Sequence, residues 1–194
     1  TGLGKHRDIP DKARRIYSNW FELFFWAPCD WSQLVSPQER WWSGQTSYPE
    51  SEQNLLDLIE RSHRQGIRVA AYASSNPAGP FAWEVARRRP EMFVRNAHGA
   101  PDGKYQVQHL DLWNDAQWRR SPRETGWYLL RLDLRRQDTL DFGIDRIIES
   151  TRHYGWDAVR FDGHYTVAGQ DEISTRNMRR LKERVAESTP DLRL

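Results

Sequence analysis

The stretch YGWDAVRFDGHY, residues 154–165, decides how the fold of this chain is interpreted. Gly155 predicts the end of a helix, and residues 158–161 (AVRF) have the composition of a short buried strand. Asp162 follows at the C-terminal end of that strand, where α/β barrels and open α/β sheets display their catalytic residues. An aspartate that only caps the next turn is the alternative, and the stretch alone leaves both interpretations open.

The same order of helix, glycine and strand occurs earlier in the chain. Ser51 is a good N-cap, apolar residues recur at helical spacing from Leu55 to Gly66, and residues 67–73 (IRVAAYA) predict a strand. In the second unit, Asp138 predicts the cap of the helix that Gly155 ends. Two such units predict βα architecture with a parallel sheet.

The remaining elements are predicted from composition and spacing. Residues 1–15 indicate an irregular or short helical lead-in, and residues 21–26 (FELFFW) favour a buried strand. A helix over residues 14–25 competes with that strand, because Asn19 and Glu22 interrupt the apolar run. Near the end, residues 172–187 predict a helix and residues 191–194 predict the opening of another strand.

Residues 74–137 form a long, irregular connection between the two units. Five prolines interrupt it, and a short helix is predicted over residues 82–89, ended by Pro90. A connection of this length within a compact domain is typically functional or a small subdomain. We therefore expect one domain over residues 1–194, with residues 74–137 as a loop or subdomain inserted into it.

The composition restricts the class of protein. The 29 basic and 27 acidic residues are interspersed, which argues against a nucleic-acid-binding face. Cys29 is the single cysteine, so the sequence predicts neither a disulfide framework nor a cysteine metal cluster. No apolar run approaches the ~20 residues of a membrane span, and the first ten residues do not resemble a signal peptide, which leaves the compartment open. Ten tryptophans favour a carbohydrate site, although they are equally suited to a core.

With this layout, the sequence resembles the α-amylase-type (β/α)8 glycoside hydrolases, family 13 and its clan relatives. Residues 55–69 (LLDLIERSHRQGIRV) resemble the helix that leads into the third barrel strand of that family. Residues 132–138 (LDLRRQD) resemble its D-L-N-x-P approach to the next helix, and residues 155–162 (GWDAVRFD) its fourth-strand pattern G-x-D-G-x-R-x-D. Residues 89–99 (RPEMFVRNAHG) are similar to a phrase of α-galactosidase-like barrel glycosidases.

The resemblance implies an N-terminal half of a (β/α)8 barrel with a long irregular insertion after one strand. The family's nucleophile corresponds to Asp162 and its supporting arginine to Arg160. Of the residues that contact sugar around the third strand, Asn76 alone is retained, since Tyr72 and Pro77 replace the other two. The family's general acid is a glutamate on the fifth strand, which would lie beyond the 194 residues.

A retaining glycosidase needs two carboxyl groups ~5–5.5 Å apart, one to attack the anomeric carbon and one to protonate the leaving oxygen. The attacking carboxylate must be ionised. Arg160, two positions before Asp162, is expected on the same face of the strand and would lower the pKa of that carboxyl. A buried Arg–Asp pair that only closes a barrel layer is the alternative.

Further residues are candidates for binding sugar, because they are polar or aromatic and lie near predicted strand ends. These substrate-binding candidates are His164, Tyr165, Asn76, Tyr72 and Trp31. Other residues invite a structural interpretation instead: Asp157 as a turn former at the bottom of the sheet, Asp133 as a hydrogen bonder before a helix, Trp26 as a core residue and His63 as a surface residue.

The sequence thus predicts a retaining, possibly transglycosylating, glycoside hydrolase that acts on oligo- or polysaccharides. Such an enzyme needs no cofactor, and no metal-ligand spacing is present. The alternative is an incomplete barrel that binds carbohydrate without hydrolysing it. In either case half a barrel exposes sheet edges, so a missing half or a partner chain is expected to complete it. The sugar, linkage and anomer stay open.

Overall fold

The structure of the protein, a computed structural model, describes residues 8–23, 52–74, 85–86, 88–97, 99, 101–105, 128–162 and 167–194. The side chains of residues 74, 103–105, 128–129 and 162 fall outside this description. So do the Ser51 cap, the continuation of the first predicted strand beyond Leu23, and much of the helix predicted over residues 82–89, in which residues 85, 86 and 88 are helical.

Four α-helices, five strands and a 3₁₀ helix over Pro90–Met92 are defined within the described residues. In chain order the α-helices and strands are α1 (Ile9–Arg15), β1 (Trp20–Leu23), α2 (Glu52–Arg64), β2 (Arg68–Ser74), β3 (Gly103–Tyr105), β4 (Tyr128–Leu130), α3 (Gln137–Tyr154), β5 (Ala158–Asp162) and α4 (Asp171–Ser188). None of these helices is both long enough and apolar enough to cross a membrane.

Strands β1, β2 and β5 form a parallel sheet in that order. The register aligns Glu22 with Ala70, and Tyr72 with Arg160. On the far side of β5, Arg193 forms an isolated parallel bridge with Ala158, within residues 191–194, for which the sequence predicts the opening of a strand. Parallel neighbours added in chain order, with helices between them, are consistent with part of a (β/α)8 barrel.

The first helix and strand settle the competition between helix and strand in the aromatic segment. Pro10 occupies the first turn of α1, where its missing N–H is harmless. The helix ends at Arg15, and Tyr17 has a φ of +56°, which no right-handed helix can include. The strand interpretation is therefore confirmed as far as Leu23, and the helix over residues 14–25 is excluded.

The two faces of the sheet have opposite character. Residues of one face are buried with the apolar residues of α2, α3 and α4 in a single core, which includes Val69, Ala71, Val159, Ile144 and Leu181. On the alternate positions stand Glu22 and Arg160, both exposed. Among the described elements the helices pack against the first face, and Glu22 and Arg160 extend from the second.

The end of α3 shows why a glycine is required at position 155. Gly155 has a φ of +74°, and its N–H donates a 2.8 Å hydrogen bond to the carbonyl of Thr151. This left-handed residue stops the helix and turns the chain toward β5. The helix stop predicted at Gly155 is confirmed.

Gly155→Ala is expected to lower the free energy of unfolding by about 1–2 kcal/mol, because a Cβ disfavours the left-handed conformation. The new Cβ would lie 3.9 Å from His63 Cε1, so strain and not a clash is the cause. Gly155→Asn is the matched control, since asparagine tolerates this conformation better. Denaturant titration of the full-length variants measures the free energy of unfolding, which should be lower for Gly155→Ala than for Gly155→Asn. An alanine variant as stable as the wild type would contradict the prediction.

The predicted cap of α3 is wrong. Arg136 is the N-cap residue, and the helix begins at Gln137, so Asp138 lies inside its first turn. There the carboxylate accepts the N–H of Thr139 at 3.0 Å and pairs with Arg136 Nη2 at 2.7 Å. An acidic residue in the first turn still interacts favourably with the helix dipole, which is why its sequence signal resembles that of a cap.

Residues 74–137 contain a second, small sheet in their described part. Strands β3 and β4 are antiparallel, and a separate antiparallel bridge joins Phe93 to Leu132, two residues after β4. Met92, Phe93, Leu130 and Leu132 are buried in the same core as the parallel sheet. The assignment of residues 74–137 as an inserted subdomain stays a prediction.

Helices α3 and α4 are joined by ion pairs along their contact. Arg180 binds Asp141 with both carboxylate oxygens engaged, at 2.6 and 2.8 Å, and Arg184 Nη2 lies 2.6 Å from Asp145. Hydrogen bonding from Arg180 holds the pKa of Asp141 below its ordinary value. Folding thus favours the ionised form of this carboxyl.

Asp141→Asn is expected to reduce the free energy of unfolding by about 1 kcal/mol at neutral pH, the upper range for a partly exposed pair. Because the folded pKa is the lower one, this stabilisation is present above ~pH 4 and is lost as the pH falls through the folded pKa. The difference from the wild type should therefore shrink on acidification. Exposed Asp191→Asn is the control, and a pH-independent difference would contradict the ionic origin.

Candidate functional site

The C-terminal edge of the parallel sheet is where the predicted site lies. Among the described strand ends, Leu23 closes β1, Ser74 closes β2 and Asp162 closes β5. The register places Asp162 opposite Ser74. The prediction that Asp162 ends a strand at this edge is confirmed, and its role as nucleophile stays a prediction.

Arg160 lies two positions before Asp162, so strand alternation assigns both positions to the same face of the sheet. Its Nη1 donates to Oε1 of Glu22 across the middle strand at 3.2 Å. The arginine side chain is 55 % exposed and the glutamate 33 % exposed. The described partner of Arg160 is thus a carboxylate on β1.

Glu22 is the residue of this site that the sequence reasoning missed. In the sequence it only interrupts the apolar run of residues 21–26. The pattern that identifies Glu22 is the alternation of side chains between the two faces of a strand. In a strand that starts at Trp20, Glu22 lies on the same face as Trp20, and the buried Leu23 lies on the other face. The strand bounds, and not the residue itself, were the missing information.

Tyr72 lies beneath Arg160. The guanidinium carbon Cζ is 5.7 Å from the centroid of the tyrosine ring, close enough for a cation–π contact. Tyr72 is only 7 % exposed, and its register partner is Arg160 itself. Its described neighbour on this face is therefore the arginine, while its predicted contact with a sugar stays a prediction.

The other substrate-binding candidates lie outside the described residues. They are Asn76, His164, Tyr165 and Trp31. Trp26, predicted as a core residue, also lies outside them. Their roles stay predictions.

Asp157 has the structural role that the sequence indicates. Its Oδ2 accepts the N–H of Val69 and lies 2.8 Å from Nε2 of His63, so it ties the start of β5 to β2 and to α2. His63, on the last turn of α2, is 39 % exposed. Both residues stand at the N-terminal side of the sheet, opposite the edge that Asp162 occupies.

Asp133 is likewise structural. It accepts hydrogen bonds from the side chain of Arg135, at 2.6 and 2.8 Å, and these bonds lower the pKa of the carboxyl. A carboxylate held ionised by an exposed arginine before a helix has no feature of a proton donor. In the described part of the chain, no cluster of three or more histidine, cysteine, aspartate or glutamate side chains could hold a metal ion.

No protein-family model and no curated protein matches the chain. Solved structures do. An α-galactosidase from Thermus thermophilus in complex with stachyose matches 97% of this chain with a TM-score of 0.58 and 16% identity. A maltogenic α-amylase from Thermotoga neapolitana matches 93% of it with a TM-score of 0.56 and 13% identity. A GH36 α-galactosidase from Geobacillus stearothermophilus matches 98% with a TM-score of 0.57 and 14% identity.

These similar structures are (β/α)8 glycoside hydrolases of the GH36 and GH13 types, which are the two groups that the sequence resembles. The chain spans 36%, 38% and 25% of their respective lengths. At such low identity the likeness bears on the fold alone: the described parallel strands and helices are consistent with a portion of a (β/α)8 barrel.

Proposed function

We propose that this chain is the N-terminal half of a (β/α)8 catalytic domain, and that the complete protein is a retaining glycoside hydrolase with Asp162 as its nucleophile. The observation that carries the proposal is the position of Asp162 as the last residue of β5. Catalytic residues of such barrels stand at the C-terminal ends of strands. The barrel glycosidases among the similar structures support the same fold for this chain.

In the proposed reaction, the carboxylate of Asp162 attacks the anomeric carbon and forms a glycosyl ester. The bond from that carbon to the leaving oxygen breaks, and a second carboxylic acid protonates the oxygen. Water then cleaves the ester while the second residue acts as a base. A sugar hydroxyl in place of the water would give transglycosylation.

Arg160 supplies the positive charge that an ionised nucleophile needs. Its position two residues before Asp162 gives it access to the same face of the sheet. A nearby guanidinium favours the carboxylate form and donates charge-assisted hydrogen bonds. The alternative, a buried Arg–Asp pair that only closes a barrel layer, does not fit an arginine side chain that is 55 % exposed.

The proposed substrate is a glycoside of an oligo- or polysaccharide. One of the similar proteins is seen with stachyose, and the ten tryptophans of this chain offer apolar faces that suit sugar rings. His164, Tyr165, Asn76, Tyr72 and Trp31 are proposed to contact the sugar.

The second candidate function is carbohydrate binding without hydrolysis, by a barrel that lacks an acid. It is favoured by the described strand ends, where Leu23 and Ser74 offer no carboxyl group beside Asp162. We place the general acid of the enzyme, and the strands that would pair with β1 on the side away from β2, outside the described residues, in the rest of the proposed barrel or in a partner chain.

The experiment that tests the proposal is Asp162→Asn in the full-length protein, assayed on a panel of α- and β-glycosides. Loss of turnover with retained affinity supports the enzyme. Carbohydrate binding by a wild-type protein that hydrolyses nothing in the panel supports the binding module instead. The expected size of the effect is argued in the Discussion.

A further inference from the structure

The face of the parallel sheet opposite the helices carries an uneven set of charges below the strand ends. Arg68 and Ala70 of β2 lie on this face together with Glu22 of β1 and Arg160 of β5. At these levels of the described strands, Glu22 is thus the one carboxylate for two guanidinium groups. Its Oε1 accepts a hydrogen bond from Nη1 of Arg160 at 3.2 Å, so this carboxylate is already engaged.

Arg68 is the arginine that this arrangement leaves over, at the start of β2. Its guanidinium carbon Cζ lies 5.2 Å from the centroid of the ring of Trp20, its partner in register. Among the described residues, no carboxylate lies within ion-pairing distance of its side chain. Asp162 is aligned with Ser74, six residues further along β2, which is about 20 Å away at roughly 3.3 Å per residue. The strand end therefore offers Arg68 no partner either.

We propose that the strands that complete the barrel present a carboxylate, from an aspartate or a glutamate, to Arg68. This inference rests on the half barrel of the proposed function and not on the chemistry at Asp162. In a (β/α)8 barrel the face opposite the helices lines the interior, which is filled with packed side chains and is not a pore. Completion of the barrel thus brings side chains of further strands against Arg68.

The reason for a carboxylate is the cost of burying an unpaired charge. Removing a guanidinium from water costs more than a contact with one indole ring offsets. An opposite charge that also accepts hydrogen bonds offsets much more of that cost. Arg68 is suited to such a bond, because the planar fork of a guanidinium matches the geometry of a carboxylate.

Charge also decides against a second copy of this chain as the occupant of the face. A second copy would bring its own Arg68, together with a Glu22 that is already bonded to Arg160. It would therefore repeat the imbalance at this level, whereas a strand with an acidic residue there corrects it.

The first test is a cross-link in the full-length protein. Arg68→Lys places an amine near the position of the guanidinium, and a water-soluble carbodiimide joins that amine to a carboxylate at ion-pairing distance. The amide bond forms as the activated carboxyl group loses one oxygen to the reagent, which leaves as a urea. Mass spectrometry of the digested protein identifies the partner, which we expect to be an aspartate or glutamate outside the described residues. The wild type, with no amine at position 68, is the control.

Thermal unfolding supplies a second measurement, which does not depend on access of the reagent. Arg68→Gln removes the positive charge, and Arg68→Glu sets a second negative charge against the proposed carboxylate. We expect the thermal midpoint of the full-length protein to fall by about 5–10 °C more for Arg68→Glu than for Arg68→Gln, because facing like charges are destabilising. The same two changes at Arg179, which is exposed on α4, are the matched control and should differ by no more than about 2 °C.

The inference is overturned if Arg68→Lys forms no cross-link and the Gln and Glu variants unfold at the same temperature, which is the result for an arginine that stays in water at the barrel rim. A cross-link to Glu22, or one that joins two copies of this chain, overturns it as well. Asp162→Asn separates this failure from that of the proposed function. If Asp162→Asn abolishes turnover while Arg68 has no acidic partner, only the inference about Arg68 fails. If Asp162→Asn retains turnover while the cross-link forms, only the nucleophile assignment fails.

Discussion

Asp162→Asn is expected to reduce kcat by about 10⁴-fold or more, the range seen when a catalytic nucleophile is removed. This corresponds to about 5.5 kcal/mol of lost transition-state stabilisation. Asparagine has nearly the same shape as aspartate but carries no charge and is a poor nucleophile. The substrate should still bind, so KM should change far less than kcat.

The matched control is Asp191→Asn, which makes the same chemical change at an exposed position two residues before Arg193. It is expected to leave kcat unchanged. A second variant, Asp162→Gly, tests the covalent role directly. Azide added to this variant should restore turnover of a substrate with a good leaving group, because it can form the bond to the anomeric carbon in place of the carboxylate.

Undiminished turnover by Asp162→Asn would exclude the nucleophile assignment. A large loss without any azide rescue in Asp162→Gly would instead indicate that Asp162 supports the reaction without forming the ester. The wild-type protein on the same glycoside panel is the reference for both results.

Ile144→Ala is expected to produce the largest loss of stability, about 2–5 kcal/mol in the free energy of unfolding. Ile144 lies on α3, is 0% exposed, and belongs to the core between the helices and the sheet. Its truncation removes buried methyl and methylene groups and leaves a cavity that the surrounding close-packed side chains fill only in part. Ile144→Val, which removes one carbon, should cost about 0.5–1.5 kcal/mol.

Ile16→Ala is the matched control, because the same atoms are removed from a side chain that is 75% exposed. Its effect should stay within about 0.5 kcal/mol. Denaturant titrations of the full-length variants measure the three differences. Equal losses for Ile144→Ala and Ile16→Ala would show that α3 does not pack against the sheet as described.

The helix–glycine–strand units were predictable because their signals are local. Gly155 and Gly66 both have positive φ angles, of +74° and +71°, which glycine adopts without strain. Residues 67–73 and 158–161 are mostly apolar, which predicts strands there, and the structure has β2 over Arg68–Ser74 and β5 over Ala158–Asp162. Backbone conformation and hydrophobic burial act over a few residues, so a single sequence carries them.

The bounds of β1 and the first residue of α3 were harder to predict from the sequence. From the sequence alone, Glu22 interrupts an apolar run, and its place on one face of β1 follows only when the strand is known to begin at Trp20. Likewise, Asp138 has the sequence pattern of a helix cap, but Arg136 occupies the cap position in the structure. In both cases a shift of one or two residues changes what the side chain faces. Local sequence signals do not resolve such shifts.

The sequence by itself determined the repeated helix–glycine–strand order, the strand that ends at Asp162, and the two positions, 160 and 162, that share one face. Only the tertiary structure decided which groups meet: Arg160 with Glu22 over Tyr72, and Asp157 with His63 and the backbone of Val69. The reason is physical. These contacts join residues as much as 138 positions apart, through the register of parallel strands, and that register depends on the packing of the whole sheet.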